Sequence, residues 1–158
     1  MWCVADPLRR LVLCVGNPDR GDDGVGRLVA GLLRGRVPDD VVVAESDGGA
    51  AEVLHHIAGA EHAVLVDAAV SGAPVGKVHR VDCSVGDGIP TTGAASSHGL
   101  GVAEAIALAR ALGCLPRHCL VYAVEAECFA PGDGVSPAVA AAAHEVADRV
   151  VAEYRHIP

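Results

Sequence analysis

Short apolar segments alternate along this chain with stretches of helical periodicity, and this alternation constrains the fold more than any other feature. The segments are apolar at every position instead of every second one, which is typical of strands covered on both faces. Such strands are predicted at residues 11–15, 41–44, 63–66 and 120–124, and a more exposed strand is predicted at residues 75–81. The pattern predicts an α/β fold: a three-layer α/β/α sandwich with a mostly parallel, twisted sheet of about five strands.

Amphipathic patterns predict four helices between and after these strands. The first helix has one apolar face, formed by Val25, Leu28, Val29, Leu32 and Leu33. Ser46 or Asp47 is expected to cap a short second helix around residues 53–57. A third helix is expected from about residue 100 to residue 112, after a mobile loop at residues 86–95. The Ser136-Pro137 pair predicts the start of a fourth helix that runs to about residue 154.

The length of 158 residues fits one domain, predicted at 1–158, with residues 1–10 as a loose N-terminal extension and 11–154 as the α/β domain. A formal net charge of −8 disfavours binding to nucleic acid or an anionic membrane, which needs a basic patch. No segment is apolar enough for long enough to span a bilayer, and charges occupy the start, where a signal peptide needs apolar residues. A cytoplasmic protein is predicted, and its oligomeric state is left open.

The six cysteines are scattered over predicted strands and loops, and none forms a Cys-x-x-Cys pair. They are Cys3, Cys14, Cys83, Cys114, Cys119 and Cys128. This spacing is not that of a cysteine zinc site, and free, mostly buried thiols are expected.

Two adjacent carboxylates, Asp22 and Asp23, lie in a glycine-rich loop at residues 16–26, between the first strand and the first helix. Proteins of this architecture bind ligands at the carboxyl ends of their strands. One carboxylate could cap the helix, whose N-terminus offers unpaired N–H groups and partial positive charge. Capping needs only one of the two, and the second adds repulsion unless a cation or a substrate donor is near. The loop therefore predicts either a capped helix or a functional site.

Asp67 and His98 are predicted at the same edge of the sheet as this loop. Asp67 directly follows the strand at residues 63–66 and is expected to end it. His98 precedes the third helix, whose positive N-terminus keeps the ring neutral and able to bind a metal. Together with Asp23 they would give two carboxylates and one imidazole, a set that suits Ni²⁺, Zn²⁺ or Co²⁺ with open positions. A turn residue at Asp67 and a surface histidine at His98 are the structural alternatives.

Other polar residues are weaker candidates. His55 and His56 are neighbours on one short helix and do not share a face, so both are expected at the surface. Glu125 and Glu127 follow the last core strand, and Glu127 either supports the site or binds backbone amides.

Neither a serine nucleophile nor a phosphate loop is indicated. Ser96 and Ser97 adjoin His98, but adjacent side chains rarely make a working pair, and the Gly-x-Ser-x-Gly motif is absent. The glycine-rich loop lacks Gly-Lys-Ser/Thr, and its two carboxylates would repel phosphate.

An ordered set of short motifs resembles that of the hydrogenase maturation endopeptidases. The motifs are Gly16-Asn17, Asp22-Asp23-Gly24-x-Gly26, Asp47-Gly48-Gly49, Val66-Asp67-Ala68 and Ser97-His98-Gly99-Leu100. Their order and separations agree with the family from about residue 11 to residue 154. The resemblance implies an α/β fold with a curved, mostly parallel sheet. It also implies an aspartyl-type endopeptidase that removes the C-terminal peptide of a [NiFe]-hydrogenase large-subunit precursor after nickel insertion.

Carried over residue by residue, the resemblance implies that Asp23, Asp67 and His98 recognise the metal and act at the scissile bond. Nickel is expected to be substrate-borne, held by cysteines of the precursor, and zinc or cadmium is expected to substitute. A carboxylate or a metal-bound water would then assist attack on the peptide carbonyl. The chain departs from the family at Ala126-Glu127, where Pro-Glu is frequent, and this affects the local turn but none of the three ligands.

Three alternatives remain open on the sequence. A non-catalytic nickel-sensing or scaffold domain for metalloenzyme assembly would use the same three ligands without cutting. A protease could act on a protein other than a hydrogenase. Peptidyl-tRNA hydrolase also begins with a strand and Gly-Asn-Pro, but the equivalent stretch here, Arg20-Gly21-Asp22-Asp23, lacks histidine, and the net charge of −8 suits tRNA poorly.

Overall fold

A computed structural model describes residues 9–86 and 101–157 of the chain, so the predicted loop at residues 86–95 falls outside it from residue 87 onward. The strands are β1 (Arg10–Val15), β2 (Val41–Ser46), β3 (His62–Ala69), β4 (Val78–Asp82) and β5 (His118–Glu125). The helices are α1 (Val25–Leu33), α2 (Ala50–Ile57), α3 (Gly101–Ala111) and α4 (Pro137–Arg155). A single 3₁₀ turn, Gly21–Gly24, leads into α1.

The five strands form one sheet in the order β2-β1-β3-β5-β4. All neighbours are parallel except the edge strand β4, which is antiparallel to β5. The ends of the four parallel strands therefore lie at one side of the sheet, the carboxyl edge. Because β4 runs in the opposite direction, it begins at this edge. The connection at residues 70–77 therefore stays at the carboxyl edge and passes over the end of β5. The Gly76 N–H donates to the Glu125 backbone oxygen at 2.8 Å, and the Glu125 N–H donates to the Lys77 oxygen at 2.9 Å.

Helices cover both faces of the sheet. α1 and α4 pack against alternate strand residues such as Val64 and Val124, whereas α2 and α3 pack against the residues between them, such as Leu65 and Val121. Since successive strand residues point to opposite faces, both sets must be apolar. This arrangement explains the uninterrupted apolar segments. The predicted three-layer sandwich with a mostly parallel sheet of five strands is confirmed.

The position of Asp67 differs from the prediction. β3 continues through Ala69, because its pairing with β5 extends to Ala69 opposite Glu125. Asp67 therefore lies inside the strand instead of ending it. The strand end is set by a partner far away in the chain, which local sequence does not report.

Two further boundaries also differ. Ser46 is the last residue of β2 and Gly49 is the N-cap residue of α2, so neither Ser46 nor Asp47 caps that helix. β1 begins at Arg10, inside the segment predicted as a loose extension, because Arg10 already pairs with both neighbouring strands.

All five cysteines within the described ranges carry reduced thiols, as predicted. Four of them are buried and Cys128 is half-buried, whereas Cys3 falls outside the described ranges. Among the helices described, none has the length and apolar character needed to cross a membrane.

Candidate active site

The loop after β1 brings two carboxylates into the protein interior at the carboxyl edge. Asp22 and Asp23 lie in the 3₁₀ turn, and both are 0% exposed. The turn requires Gly16 (φ 143°), because a Cβ there would lie 2.0 Å from the backbone oxygen of Asp23. The N-cap residue of α1 is Gly24, which makes no side-chain cap bond, so of the two alternatives for this loop the capped helix is not observed.

Asp22 binds the segment between β5 and α4. Its Oδ2 accepts the backbone N–H groups of Glu127 (3.0 Å) and Cys128 (3.1 Å), and its Oδ1 accepts that of Ser136 (2.7 Å). Burial alone would raise the pKa of Asp22, but these three donors lower it below its ordinary value. Asp22 is therefore an ionised structural anchor. Glu127 contributes its backbone N–H to this anchor, and the residue is otherwise exposed.

Asp23 and Asp67 form a second pair of buried acids. The Asn17 backbone N–H donates to Asp23 Oδ2 at 3.0 Å, and the Ala68 N–H donates to Asp67 Oδ1 at 2.8 Å. Asp67 is only 4% exposed. Burial raises the pKa of Asp67 to about 8, against the opposing effect of the Ala68 N–H, and the negative charge of Asp23 raises it further. The two carboxyl groups are thus electrostatically coupled, and Asp67 is largely protonated near neutral pH.

His98, the third predicted ligand, lies outside the described residues, as do Ser96 and Ser97. The described chain resumes at Gly101, the first residue of α3. A Cβ on Gly101 would lie 2.0 Å from the backbone oxygen of Gly48, in the turn after β2. α3 therefore begins in direct contact with the carboxyl edge of the sheet.

The described residues contribute two carboxylates to the predicted ligand set. Within residues 9–86 and 101–157, no three His, Cys, Asp or Glu side chains are grouped so that they could hold a metal ion. Asp23 and Asp67 offer oxygen donors whose mutual repulsion a divalent cation would relieve. A set of three ligands that includes this pair needs a donor from outside those two ranges.

Sequence reasoning missed a polar cluster around Glu125, which is 1% exposed at the carboxyl end of β5. Its Oε1 accepts the hydroxyl proton of Ser71 and lies 2.9 Å from His79 Nε2, and its Oε2 accepts the Ser71 backbone N–H at 3.1 Å. Burial by itself would raise the pKa of Glu125, but the contacts with Ser71 and His79 lower it overall. An acid at the end of an apolar strand was the available signal for Glu125, whereas nothing in the sequence marked His79 as its partner.

The two histidines of α2 remain at the protein surface, as expected. His55 is exposed, and His56 is half-buried with its Nε2 3.9 Å from a Glu52 oxygen on the same helix. Neither takes part in the acidic pair.

The fold and the site define an α/β protein with a coupled acidic pair buried at the carboxyl edge of its sheet. The sequence profile of the family described as HycI, hydrogenase maturation protease, matches residues 27–153. The hydrogenase 2 maturation protease of Escherichia coli (strain K12) is 29% identical over 154 residues, covering 94% of this chain and 92% of that protein. The chain belongs to the hydrogenase maturation protease family.

Solved structures support the same assignment. The hydrogenase maturating endopeptidase HybD from E. coli superimposes with a TM-score of 0.78 at 28% identity, covering 93% of this chain and 92% of that one. The [NiFe] hydrogenase maturation protease HycI from Thermococcus kodakarensis KOD1 shares the fold, with a TM-score of 0.64, 24% identity and 94% coverage of both chains. The predicted family and the predicted enzyme class, an endopeptidase of hydrogenase maturation, are confirmed. This assignment favours the protease over the peptidyl-tRNA hydrolase alternative.

Proposed function

We propose that this endopeptidase removes the C-terminal peptide of a [NiFe]-hydrogenase large-subunit precursor once nickel has been inserted. In this proposal Asp23, Asp67 and His98 recognise nickel as part of the substrate, held by cysteines of the precursor, and act at the scissile bond. The observation that carries the proposal is the burial of Asp23 and Asp67 as a coupled acidic pair at the carboxyl edge.

A comparison with Asp22 supports a functional role for this pair. Asp22 serves as the reference for a structural carboxylate in this fold, because three backbone N–H donors stabilise its ionised form. In Asp67 the effect of burial exceeds that of the Ala68 N–H, and the pKa is raised to about 8. An acid held in an environment that disfavours its charge is a candidate for binding a cation, since the cation supplies the missing compensation.

The chain connection supports His98 as the third ligand. His98 precedes Gly101 by three residues, and an extended chain of that length spans at most about 11 Å. Gly101 contacts Gly48 at the carboxyl edge. A neutral imidazole beside two carboxylates completes a donor set that suits nickel, and zinc or cadmium is expected to substitute for it.

The proposed reaction uses the carboxylates as proton acceptors. Substrate-borne nickel supplies positive charge and open coordination positions at the acidic pair. Asp67 must lose its proton to bind it, so docking of the precursor releases a proton. An ionised carboxylate then accepts the proton of the water that attacks the scissile carbonyl, and the same group returns a proton to the leaving amine. We place this reaction in the cytoplasm, where the reduced thiols of the described cysteines would persist.

Mass spectrometry of the precursor's C-terminus tests the proposal. The nickel-loaded precursor is incubated with the wild-type protein, Asp23→Asn, Asp67→Asn and His98→Ala. We expect the wild type to shorten the precursor and each variant to lose at least about 100-fold in rate, through loss of a carboxylate general base in the two Asp variants and of the third nickel ligand in His98→Ala. Asp19→Asn, at an exposed position of the same loop, is the matched control and should cleave normally.

The outcomes separate the alternatives. A wild-type protein that binds the precursor but leaves its C-terminus intact would be a non-catalytic nickel-sensing or scaffold domain. Full activity in all three variants would show that these residues are not the site.

A further inference from the structure

Three residues on neighbouring strands form one row across the sheet near its carboxyl edge. Asp67 on β3 lies opposite Ala123 on β5, and Ala123 lies opposite His79 on β4. Residues directly opposite in a sheet project to the same face. Asp67, Ala123 and His79 therefore share the face that carries α2 and α3.

The middle residue of this row has the smallest side chain of the three and is partly exposed. Ala123 is half-buried, whereas Val121 and Glu125, its neighbours on the same face of β5, are 4% and 1% exposed. Strands lie about 4.8 Å apart, so the Cα atoms of Asp67 and His79 are separated by roughly 9.6 Å across Ala123. An extended chain is about one strand spacing wide, so a peptide lying over Ala123 would pass between these two residues. We name the space over Ala123, between Asp67 and His79, the trough.

His79, at one side of the trough, is held in place by the buried Glu125 carboxylate. His79 Nε2 lies 2.9 Å from Glu125 Oε1, and the His79 side chain is 31% exposed although Glu125 is buried. Both carboxylate oxygens of Glu125 are also bound by Ser71. Glu125 therefore fixes the orientation of an imidazole that remains partly exposed.

The hydrogen bonds that join the connection at residues 70–77 to β5 do not depend on His79. Ser71 binds Glu125 through its own side chain and backbone, and Gly76 and Lys77 bind its main chain. A histidine at this position adds a polar group that faces the same space as Asp67. His79 is therefore available for a substrate contact without loss of the hydrogen bonds between the connection and β5.

We propose that the trough seats the C-terminal segment of the precursor as an extended chain, with Ala123 as its floor and His79 as a residue that hydrogen-bonds the bound peptide. Glu125 is a positioning residue that acts through His79. The inference rests on the proposed function, and it identifies where the peptide lies relative to the acidic pair. The ligand is an extended polypeptide main chain, since a floor of one methyl group leaves no deep side-chain pocket.

Substitutions at Ala123 test the floor of the trough. Ala123→Leu would occupy the space of the peptide, and we expect KM for the nickel-loaded precursor to rise at least 10-fold. Ala152→Leu, at an exposed position of α4 on the opposite face, is the control. Thermal melting of each variant identifies any that does not fold, and Ala123→Val replaces Ala123→Leu in that case.

Substitutions at His79 and Glu125 test the His79 side of the trough. Loss of one hydrogen bond to bound substrate should raise KM by about 3- to 10-fold in His79→Gln while kcat stays within about 2-fold, because the contact is made equally in the bound and reacting states. Glu125→Gln keeps an acceptor for the ring and should lie between His79→Gln and the wild type. His144→Gln, exposed on α4, should match the wild type.

The outcomes distinguish the two proposals. If the wild type trims the precursor and folded Ala123 and His79 variants keep wild-type KM, the trough is not the peptide seat, although the proposed function stands. If the wild type does not trim the precursor, the proposed function fails and the inference fails with it.

Discussion

Asp22 and Ser136 are 114 residues apart in the chain, yet the Ser136 backbone N–H donates a hydrogen bond to Asp22 Oδ1 at 2.7 Å. Ser136 is the N-cap residue of α4, so this bond joins the loop that carries Asp23 to the start of the last helix. Two adjacent acids of one turn therefore have different roles. Asp22 holds the loop, and Asp23 is coupled to Asp67.

Replacement of Asp22 by Asn should destabilise the protein. The amide has one acceptor oxygen for three backbone donors, and its NH₂ group would face an N–H. We expect a loss of about 2–3 kcal/mol in the free energy of unfolding, measured by urea denaturation at pH 7. Asp19→Asn, exposed in the same loop, should change stability by less than about 0.5 kcal/mol.

The cost of Asp22→Asn should decrease in acid. The folded-state pKa of Asp22 is below its ordinary value, so its ionised form adds stability above that value. This contribution is lost as the pH falls through the lowered folded-state pKa. An Asp22→Asn penalty that is equal at pH 7 and at pH 2 to 3 would contradict the assignment of Asp22 as an ionised anchor.

Asp67 should have the opposite effect on stability. Its folded-state pKa is raised to about 8, so its contribution is fully present below the ordinary pKa of 3.8 and is lost as the pH rises to about 8. The wild type should therefore lose up to about 1.4 kcal/mol per pH unit relative to Asp67→Asn within that window. Urea denaturation of both proteins from pH 5 to pH 9 measures this difference. Parallel stability curves would show that Asp67 titrates normally.

Binding of Cd²⁺, as a probe for the proposed nickel contact, should depend on the same proton. Below a pH of about 8, a cation that binds Asp67 must displace its proton, so affinity should rise up to about 10-fold per pH unit and level off above it. Calorimetry in two buffers of different ionisation enthalpy reports the released proton. Asp67→Asn should bind weakly at every pH, whereas Asp19→Asn should follow the wild type.

Two glycines of α1 should respond oppositely to the same change. A Cβ on Gly26 would lie 2.3 Å from the Val15 backbone oxygen, whereas a Cβ on Gly31 would meet nothing within 4 Å. Gly31→Ala should stabilise the protein by about 0.5–1 kcal/mol through helix propensity. Gly26→Ala should destabilise it by about 2 kcal/mol or more, since backbone cannot move aside cheaply. Thermal melting compares the two, and equal effects would contradict the close packing of α1 on β1.

The layers of the fold were predictable, because covering both faces of a sheet leaves an uninterrupted apolar pattern in each strand. Single positions at the carboxyl edge were less predictable. Asp22 and Asp23 are chemically identical neighbours, and the backbone donors at Glu127, Cys128 and Ser136 make Asp22 the structural one. Those donors come from the far end of the chain, and sequence spacing does not reveal them.

The relation of Glu125 to His79 could not be predicted for a similar reason. An acid after an apolar strand is visible in the sequence, but its partner depends on β4 being antiparallel to β5. A parallel β4 would begin at the other side of the sheet. The position of Asp67 inside β3 likewise could not be predicted, because it depends on how far β3 and β5 remain paired. The prediction that His98 completes the ligand set concerns a residue outside the described ranges and stays a prediction.

The antiparallel β4 also affects how this enzyme can diverge. The chain leaves β3 and enters β4 on the same side of the sheet, so the connection at residues 70–77 lies beside the acidic pair and forms no part of either helical layer. Insertions or deletions there would reshape the surface beside the acidic pair while both apolar layers stay intact. Under the proposed function, evolution could thus alter which precursor is accepted by changing one surface connection, independently of the fold and of the buried acidic pair.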